Sequence, residues 1–249
     1  MSDAQRRTVP ARPDPLRPLR RLSGGAGMPL VVASIAGIAV VVWFGIAVAT
    51  SSEWSRAESR VLGALIPQHR PVPDAVALAI DAVFDPAPAL AITIAVATAV
   101  AAATRDIARA ATFALTVLVS WRTGELVKLL VQRARPDVLD NWHSHADLVS
   151  STAYPSGHVG FATALSIGIL VLARDHRRRS TIVSPACVLF VAVVAYSRMY
   201  LGLHYPTDVL AGAVLAMCVA GVFLAWWLNR ALPVLTMAAG WLRPPSWRP

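Results

Sequence analysis

The sequence predicts an all-α integral membrane protein, a six-helix bundle with its active site at the outer membrane face. Three observations lead there. Of 249 residues 56% are apolar and 15% charged, with a mean hydropathy of +0.56, whereas a soluble domain carries about 25% charged residues. Apolar runs recur at the length, about 20 residues as helix, that crosses a hydrocarbon layer roughly 30 Å thick. The basic residues lie between those runs, mostly in alternate connections.

Residues 1–28 hold six Arg and four Pro and no continuous apolar face, which predicts a disordered basic arm beside the membrane. The apolar run at 29–50 is too long for a signal-peptide core and is expected to remain as the first span. Residues 51–86 interrupt their Leu, Ile and Val with polar positions too often to cross, and suit helices lying at the interface. A short, Ala-rich second span follows Pro88 and ends near Thr104. The third runs from about 109 to 134 and contains charges, the fourth covers 157–173, the fifth 182–200 and the sixth 206–229. This makes 29–230 the membrane domain and 231–249 an interfacial tail on the side of the termini, and Trp226, Trp227, Trp241 and Trp247, near that end of the sixth span, suit an aromatic belt.

Six spans put both termini on one side. Under that alternation fifteen Arg and Lys flank the terminal side and five (Arg56, Arg60, Arg70, Arg133, Arg135) the other. The positive-inside rule then places the termini in the cytoplasm of a plasma (inner) membrane protein and 51–87, 135–156 and 200–206 outside. The formal charge of +9 is thereby explained by orientation. Nucleic acid is not an expected partner, because the Arg residues do not interleave with aromatics on one surface. Cys187 and Cys218 sit singly in apolar runs and are expected to be small packing residues.

The residues hardest to reconcile with a bilayer gather at the outward ends of the last four spans. Lys128, Gln132 and Arg135 recur at +4 and +3, which on a continuous helix gives one cationic face. A cation at that depth is costly and lines a polar site, or else snorkels to the interface. Arg122 and Glu125, deeper in the same span, suit a pair with each other or with another helix. At Tyr154-Pro155-Ser156-Gly157-His158, Ser156 is a candidate N-cap. A helix beginning there aims backbone N–H groups at an anion, with His158 in its first turn. Pro206 fits the first turn of the last span, so Asp208 can reach back to His204 and fix its tautomer; the plainer alternative is a helix cap beside an incidental histidine. Together these supply cations, two histidines and a carboxylate suited to phosphoryl transfer. No acidic or histidine cluster suggests a cofactor or metal; His143, His145 and Asp147 are the nearest candidate.

Lys128-x6-Arg135-Pro136, Pro155-Ser156-Gly157-His158 and Ser197-Arg198-x5-His204-x3-Asp208 together resemble the three-part signature of the type 2 phosphatidic acid phosphatase superfamily. The resemblance covers 128–208 and departs from the pattern nowhere in the motifs. It implies His204 as nucleophile, Asp208 orienting it and His158 protonating the leaving group. Lys128, Arg135, Arg198, Ser156 and the Gly157 backbone are implied to hold phosphate. The expected activity is a metal-independent phosphatase acting on a membrane lipid phosphate or diphosphate through a phosphohistidine. Undecaprenyl diphosphate is favoured, with phosphatidate and phosphatidylglycerol phosphate as competitors. A lipid phosphotransferase and a non-catalytic lipid-binding membrane protein are the alternatives.

The topology is directly measurable. In a Cys187→Ala, Cys218→Ala background on intact cells, a membrane-impermeant maleimide should label Ser144→Cys and spare Ser180→Cys. The opposite pattern would invert the predicted orientation.

Overall fold

The computed structural model describes residues 27–65, 70–136, 152–173 and 177–241. Helix α1 (Gly27–Thr50) is apolar all round and leaves Leu30, Val32, Ile35, Val40 and Trp43 exposed, as a lipid-facing helix does. Ser51 ends the link to α2 (Ser52–Gly63) by accepting the Trp54 N–H at 3.2 Å, an N-cap. This helix is amphipathic and buries Glu58 and Leu62, one turn apart. Pro71 opens α3 (Pro71–Val83) and Pro86 opens α4 (Pro86–Thr104), each where a missing N–H is tolerated. Asp106 caps α5 (Ile107–Val131), its carboxylate accepting from Arg109 N–H at 3.1 Å. There follow α6 (Gly157–Ala173), α7 (Arg177–Tyr200) and α8 (Pro206–Trp226), which passes through a π turn (Trp227–Ala231) into α9 (Leu232–Trp241).

The chain is therefore a helical, multi-pass membrane protein. Among the described residues four helical stretches are both long and apolar enough to cross: Gly27–Thr50, Pro86–Thr104, Thr181–Tyr200 and Pro206–Thr236. The two other expected spans are the ones that shape the site. Helix α5 has 25 residues but carries Arg122, Glu125 and Lys128 near its end, and α6 has only 17.

Helix α6 occupies the centre, packed against α5, α7 and α8, while α8 also meets α1 and α5. Phe113, Val117 and Trp121 of α5 interlock with Val159 and Phe161 of α6 in the main core. Two close approaches fix the start of α6. A Cβ on Gly212 of α8 would stand 2.5 Å from the Ser156 carbonyl oxygen, so the helices cross at backbone contact there. A Cβ on Gly45 of α1 would stand 2.4 Å from the Tyr154 ring, whose hydroxyl donates to the Val41 carbonyl at 2.6 Å. The segment leading into α6 is thus clamped from both sides.

Several expectations change. Helix α5 stops at Val131 because Gln132 adopts a left-handed backbone (φ 49°), so Arg135 does not continue a helical face with Lys128 and Gln132. The chain beyond it turns to pair with the approach to α6, Ala153 N–H donating to the Arg133 carbonyl at 2.7 Å beside an Ala134–Thr152 bridge. Glu125 pairs with Lys128, and Arg122 lies over the Trp121 ring, instead of the two pairing together. Trp226 is exposed, as a belt residue should be, but Trp227 is buried and donates its indole N–H to Thr112 at 2.9 Å. Residues 1–26 and 242–249, which include the basic arm and Trp247, lie outside the described residues, as do 137–151 with His143, His145 and Asp147.

Arg133, counted above as an outer-loop charge, is buried. Its Nη1 bonds Asp208 Oδ1 and Thr207 Oγ1, both at 2.7 Å, its Nη2 bonds Glu58 Oε2 at 2.6 Å, and its guanidinium stacks 4.0 Å from the Tyr205 ring centroid. Removing one member of such a group leaves uncompensated buried charge, a loss of about 3–5 kcal/mol. Arg133→Met should therefore lower the thermal midpoint of the detergent-solubilised protein markedly. Arg122→Ala, which gives up one exposed cation–π contact of about 0.5–1 kcal/mol, should barely move it. Equal midpoints for the two variants would show that the Arg133 network is not holding the fold.

Candidate active site

The eight residues singled out in the sequence are delivered by the ends of four helices, α5 to α8, and the turns beside them. Lys128 projects from the last turn of α5. Its Nζ is 3.2 Å from Glu125 Oε1 and would be 3.5 Å from a Cβ placed on Gly157, so the amine stands beside the first residue of α6. Arg135 comes from the turn after α5 and donates to the Leu203 carbonyl at 3.3 Å, next to His204. Burial pushes its pKa down and the Arg198 cation pushes the same way, against the opposing fields of Asp81 and Asp208. Two guanidinium groups close enough to repel each other suit a position where an anion binds.

Ser156 lies immediately before α6. Its N–H donates to the Asp208 carbonyl at 2.9 Å and its carbonyl accepts from Gly160 N–H at 3.0 Å, the first closure of the helix. The expected side-chain cap is not made: Ser156 Oγ is buried with no hydrogen-bond partner. The hydroxyls of Ser120, Thr163 and Ser166 share that state within the bundle, and what distinguishes Ser156 is its place at a helix start, one residue before the Gly157 that Lys128 approaches, which suits an anionic ligand.

The turn between α7 and α8 places His204. Gly202 takes a left-handed conformation (φ 65°) that glycine adopts without steric cost. Leu203 N–H returns to the Arg198 carbonyl at 3.0 Å and Gly202 N–H to Met199 at 2.9 Å. His204 is then held with Nδ1 3.7 Å from Asp208 Oδ2, facing the carboxylate but beyond hydrogen-bond length, and Nδ1 has no other partner. Asp208 itself is fully engaged, Oδ1 by Arg133 and Oδ2 by Tyr205 N–H at 2.8 Å, so it also caps α8. The cap reading and the histidine-facing reading both describe this one carboxylate.

His158 and Arg198 meet at a residue the sequence reading did not single out. Arg198 is completely buried and forms a short ion pair with Asp81 Oδ1. The same oxygen is 3.3 Å from His158 Nε2, which also approaches the Asp81 carbonyl at 3.2 Å. Burial alone would raise the Asp81 pKa, but His158 and Arg198 outweigh it and hold the carboxyl well below the usual range. Arg133 and Glu58 were missed as well. The available signal was positional: Glu58 shares its buried face with Leu62, and Asp81 stands one turn beyond the buried Ala77, each an acid where an apolar residue is expected. Asp81, Asp85 and His158 each bring a ligand atom within 4.8 Å of the others. With Arg198 already on Asp81, that trio is poorly suited to a divalent cation.

The model of the PAP2 superfamily matches residues 89–232. An undecaprenyl-diphosphatase of Bacillus subtilis is 30% identical over 98 residues, 39% of this chain and 47% of the relative. A decaprenylphosphoryl-5-phosphoribose phosphatase of Mycobacterium tuberculosis is 34% identical over 101 residues, 39% and 49% of the two chains. The match thus spans about half the length of these relatives. A crystal structure of a transmembrane PAP2 type phosphatidylglycerolphosphate phosphatase from Bacillus subtilis aligns over 81% of this chain and 96% of its own. Its TM-score is 0.66 at 19% identity, a likeness of fold.

His204 lies in the turn outside the apolar spans, and burial first, then the Arg135 and Arg198 cations, push its pKa from 6.5 down to about 4, against the pull of Asp208. The unfolded chain takes up that proton near pH 6.5, the folded chain only near 4. Acidification through this window therefore favours unfolding, and the contribution is fully present only above about 6.5. Between pH 6.5 and 4 the thermal midpoint of His204→Gln should fall less than that of the wild type. Parallel slopes would mean that the imidazole is solvated.

Proposed function

Because the chain belongs to the PAP2 superfamily, we propose that it is a membrane phosphatase that releases phosphate from a lipid phosphate or diphosphate through a phosphohistidine on His204. The observation that carries this reading is the arrangement around His204: a buried imidazole with one nitrogen turned to Asp208, beside the Arg135 and Arg198 cations. With Nδ1 facing the carboxylate, Nε2 is left for phosphorus.

In the first step His204 Nε2 attacks the terminal phosphorus in line, the bond from that phosphorus to the oxygen joining it to the rest of the lipid (the bridging oxygen of a diphosphate, the ester oxygen of a monophosphate) breaks, and His158 gives its proton to that departing oxygen. The imidazole becomes cationic as it is phosphorylated, which draws its Nδ1–H toward Asp208. In the second step His158 takes a proton from water, whose oxygen attacks phosphorus and breaks the N–P bond. Inorganic phosphate leaves and His204 is restored. Lys128, Arg135 and Arg198, with Ser156 Oγ and the Gly157 N–H, offset the charge on the equatorial oxygens, the task a metal performs in other phosphoryl-transfer enzymes.

Undecaprenyl diphosphate is the favoured substrate, supported by the name of the Bacillus subtilis relative, and the name of the mycobacterial relative, a phosphatase of a phosphoribose on a decaprenyl carrier, supports a polyprenyl-linked phosphate more broadly. Phosphatidylglycerol phosphate remains a competitor through a phosphatidylglycerophosphatase of Haemophilus influenzae, 26% identical over 94 residues. Six crossings, with α5 and α6 among them, would carry the site to the outer face.

Brief exposure of the purified protein to a polyprenyl diphosphate labelled on its terminal phosphate should leave acid-labile, base-stable label, absent from His204→Ala. Free phosphate should appear without an added acceptor and in the presence of EDTA. Stable label on His204→Ala would overturn the nucleophile assignment. Release only on addition of an alcohol acceptor would make the protein a phosphotransferase, and an EDTA-dead enzyme revived by magnesium or zinc would overturn the metal-free mechanism.

A further inference from the structure

We propose that Asp81 is an internal competitor for the phosphate position: its carboxylate occupies the anion-binding edge formed by Arg198 and His158, and a substrate phosphate binds by displacing it. The inference rests on the phosphatase reading above, because that reading assigns both groups to the phosphate.

The outer fork of Arg198 is spent on α3. Nη1 meets Asp81 Oδ1 and Nη2 donates to the Ala77 carbonyl at 3.2 Å, while Nε lies 3.4 Å from Ser197 Oγ. The Nη1–Nη2 edge is one of the two with which an arginine can grip a phosphate by two parallel bonds, and the other, through Nε, is turned to Ser197. His158, the proposed proton donor, aims Nε2 at the same Asp81 oxygen. One carboxylate oxygen therefore stands where the mechanism needs a phosphate oxygen, between the group that neutralises it and the group that protonates the leaving atom. Arg198 ends α7 and His158 begins α6, which pack against each other, and the Asp81 carboxylate oxygen bridges the two side chains across that seam.

The occupant differs from a fixed structural carboxylate. The Asp81 side chain is 30% exposed, whereas that of Asp208 is wholly buried within the Arg133 network. Helix α3 is secured further back, where Tyr200 hydroxyl donates to Asp74 at 2.5 Å and receives Arg70 N–H at 3.2 Å. Asp81 can thus turn to water while its helix stays docked. Asp85, beside it, adds a second negative charge that disfavours an incoming anion. A lipid phosphate can meet the cost of displacement with contacts to its tail, but inorganic phosphate has none. Asp81 then lowers retention of the product and selects for phosphate carried on a lipid.

The test compares the full-length protein, in detergent and as wild type, Asp81→Asn, Asp81→Glu and Asp85→Asn, for hydrolysis of a polyprenyl diphosphate and for inhibition by inorganic phosphate. Asp81→Asn should lower the inhibition constant for inorganic phosphate at least about tenfold, the equivalent of ~1.4 kcal/mol. Asp81→Glu, which keeps the charge, should stay closer to wild type, and Asp85→Asn should have a smaller effect than Asp81→Asn. Tighter anion binding is not what a damaged fold produces. A fall in kcat with an unchanged or raised inhibition constant would overturn the proposal and make Asp81 a positioning residue for His158. Failure of the wild type itself to hydrolyse any lipid phosphate would instead remove the phosphatase reading on which the proposal stands.

Discussion

The guanidinium of Arg133 is the fixed point of this molecule. It joins the end of α5 to Asp208 in the first turn of α8 and to Glu58 on α2, and Glu58 in turn accepts the Thr207 N–H at 2.8 Å. Buried ion pairs contribute little net stability against apolar replacements of equal volume, because desolvation offsets most of the attraction. What they supply is direction. Asp208 has both oxygens committed before His204 is considered, so the imidazole is positioned against a carboxylate that cannot rotate away. The distance of 3.7 Å leaves room for this contact to shorten into a hydrogen bond in the proposed phosphohistidine step, in which the ring would gain charge.

Around that fixed carboxylate the site is organised by opposing signs. Lys128 has Glu125 and Arg198 has Asp81, so these two cations enter the site with an acid already beside them. In a segment that borders hydrocarbon this is the expected arrangement, since an isolated charge there is costly and a pair is tolerable. The two acids are not equivalent, however. Glu125 sits on the same helix as its lysine, whereas Asp81 arrives on the separate helix α3 and touches two groups from different elements.

The apolar helices were legible in the sequence because hydrocarbon imposes a length and a composition, and both survive reading one residue at a time. The three motifs were legible because each lies within a few residues of a helix end, where spacing determines direction. Legibility failed where tertiary pairing decides the outcome. Arg133 and Arg135 are alternate residues in one short segment, and only the left-handed turn at Gln132 determines which of them is buried and which faces Leu203. Trp227 looked like its neighbour Trp226 until Thr112 supplied a hydrogen-bond acceptor across the bundle. Glu58 and Asp81 stand among ordinary interfacial residues, and their partners lie 75 and 117 positions away.

Those separations bear on how loss of the native state would appear. The helices close their own hydrogen bonds between residues four apart, whereas the contacts that hold Tyr154 on Val41, Arg133 on Glu58 and Asp208, and Arg198 on Asp81 span 113, 75, 75 and 117 positions. Contacts of high sequence separation form late and carry the loop-closure cost, while helices in a bilayer retain their backbone pairing regardless. Far-ultraviolet dichroism would consequently register a nearly full complement of helix in a molecule whose ion pairs had come apart. The spectroscopic signature of an intact centre lies instead in the near-ultraviolet bands of Tyr154, Tyr205 and Trp227, whose rings are locked by the same long-range contacts.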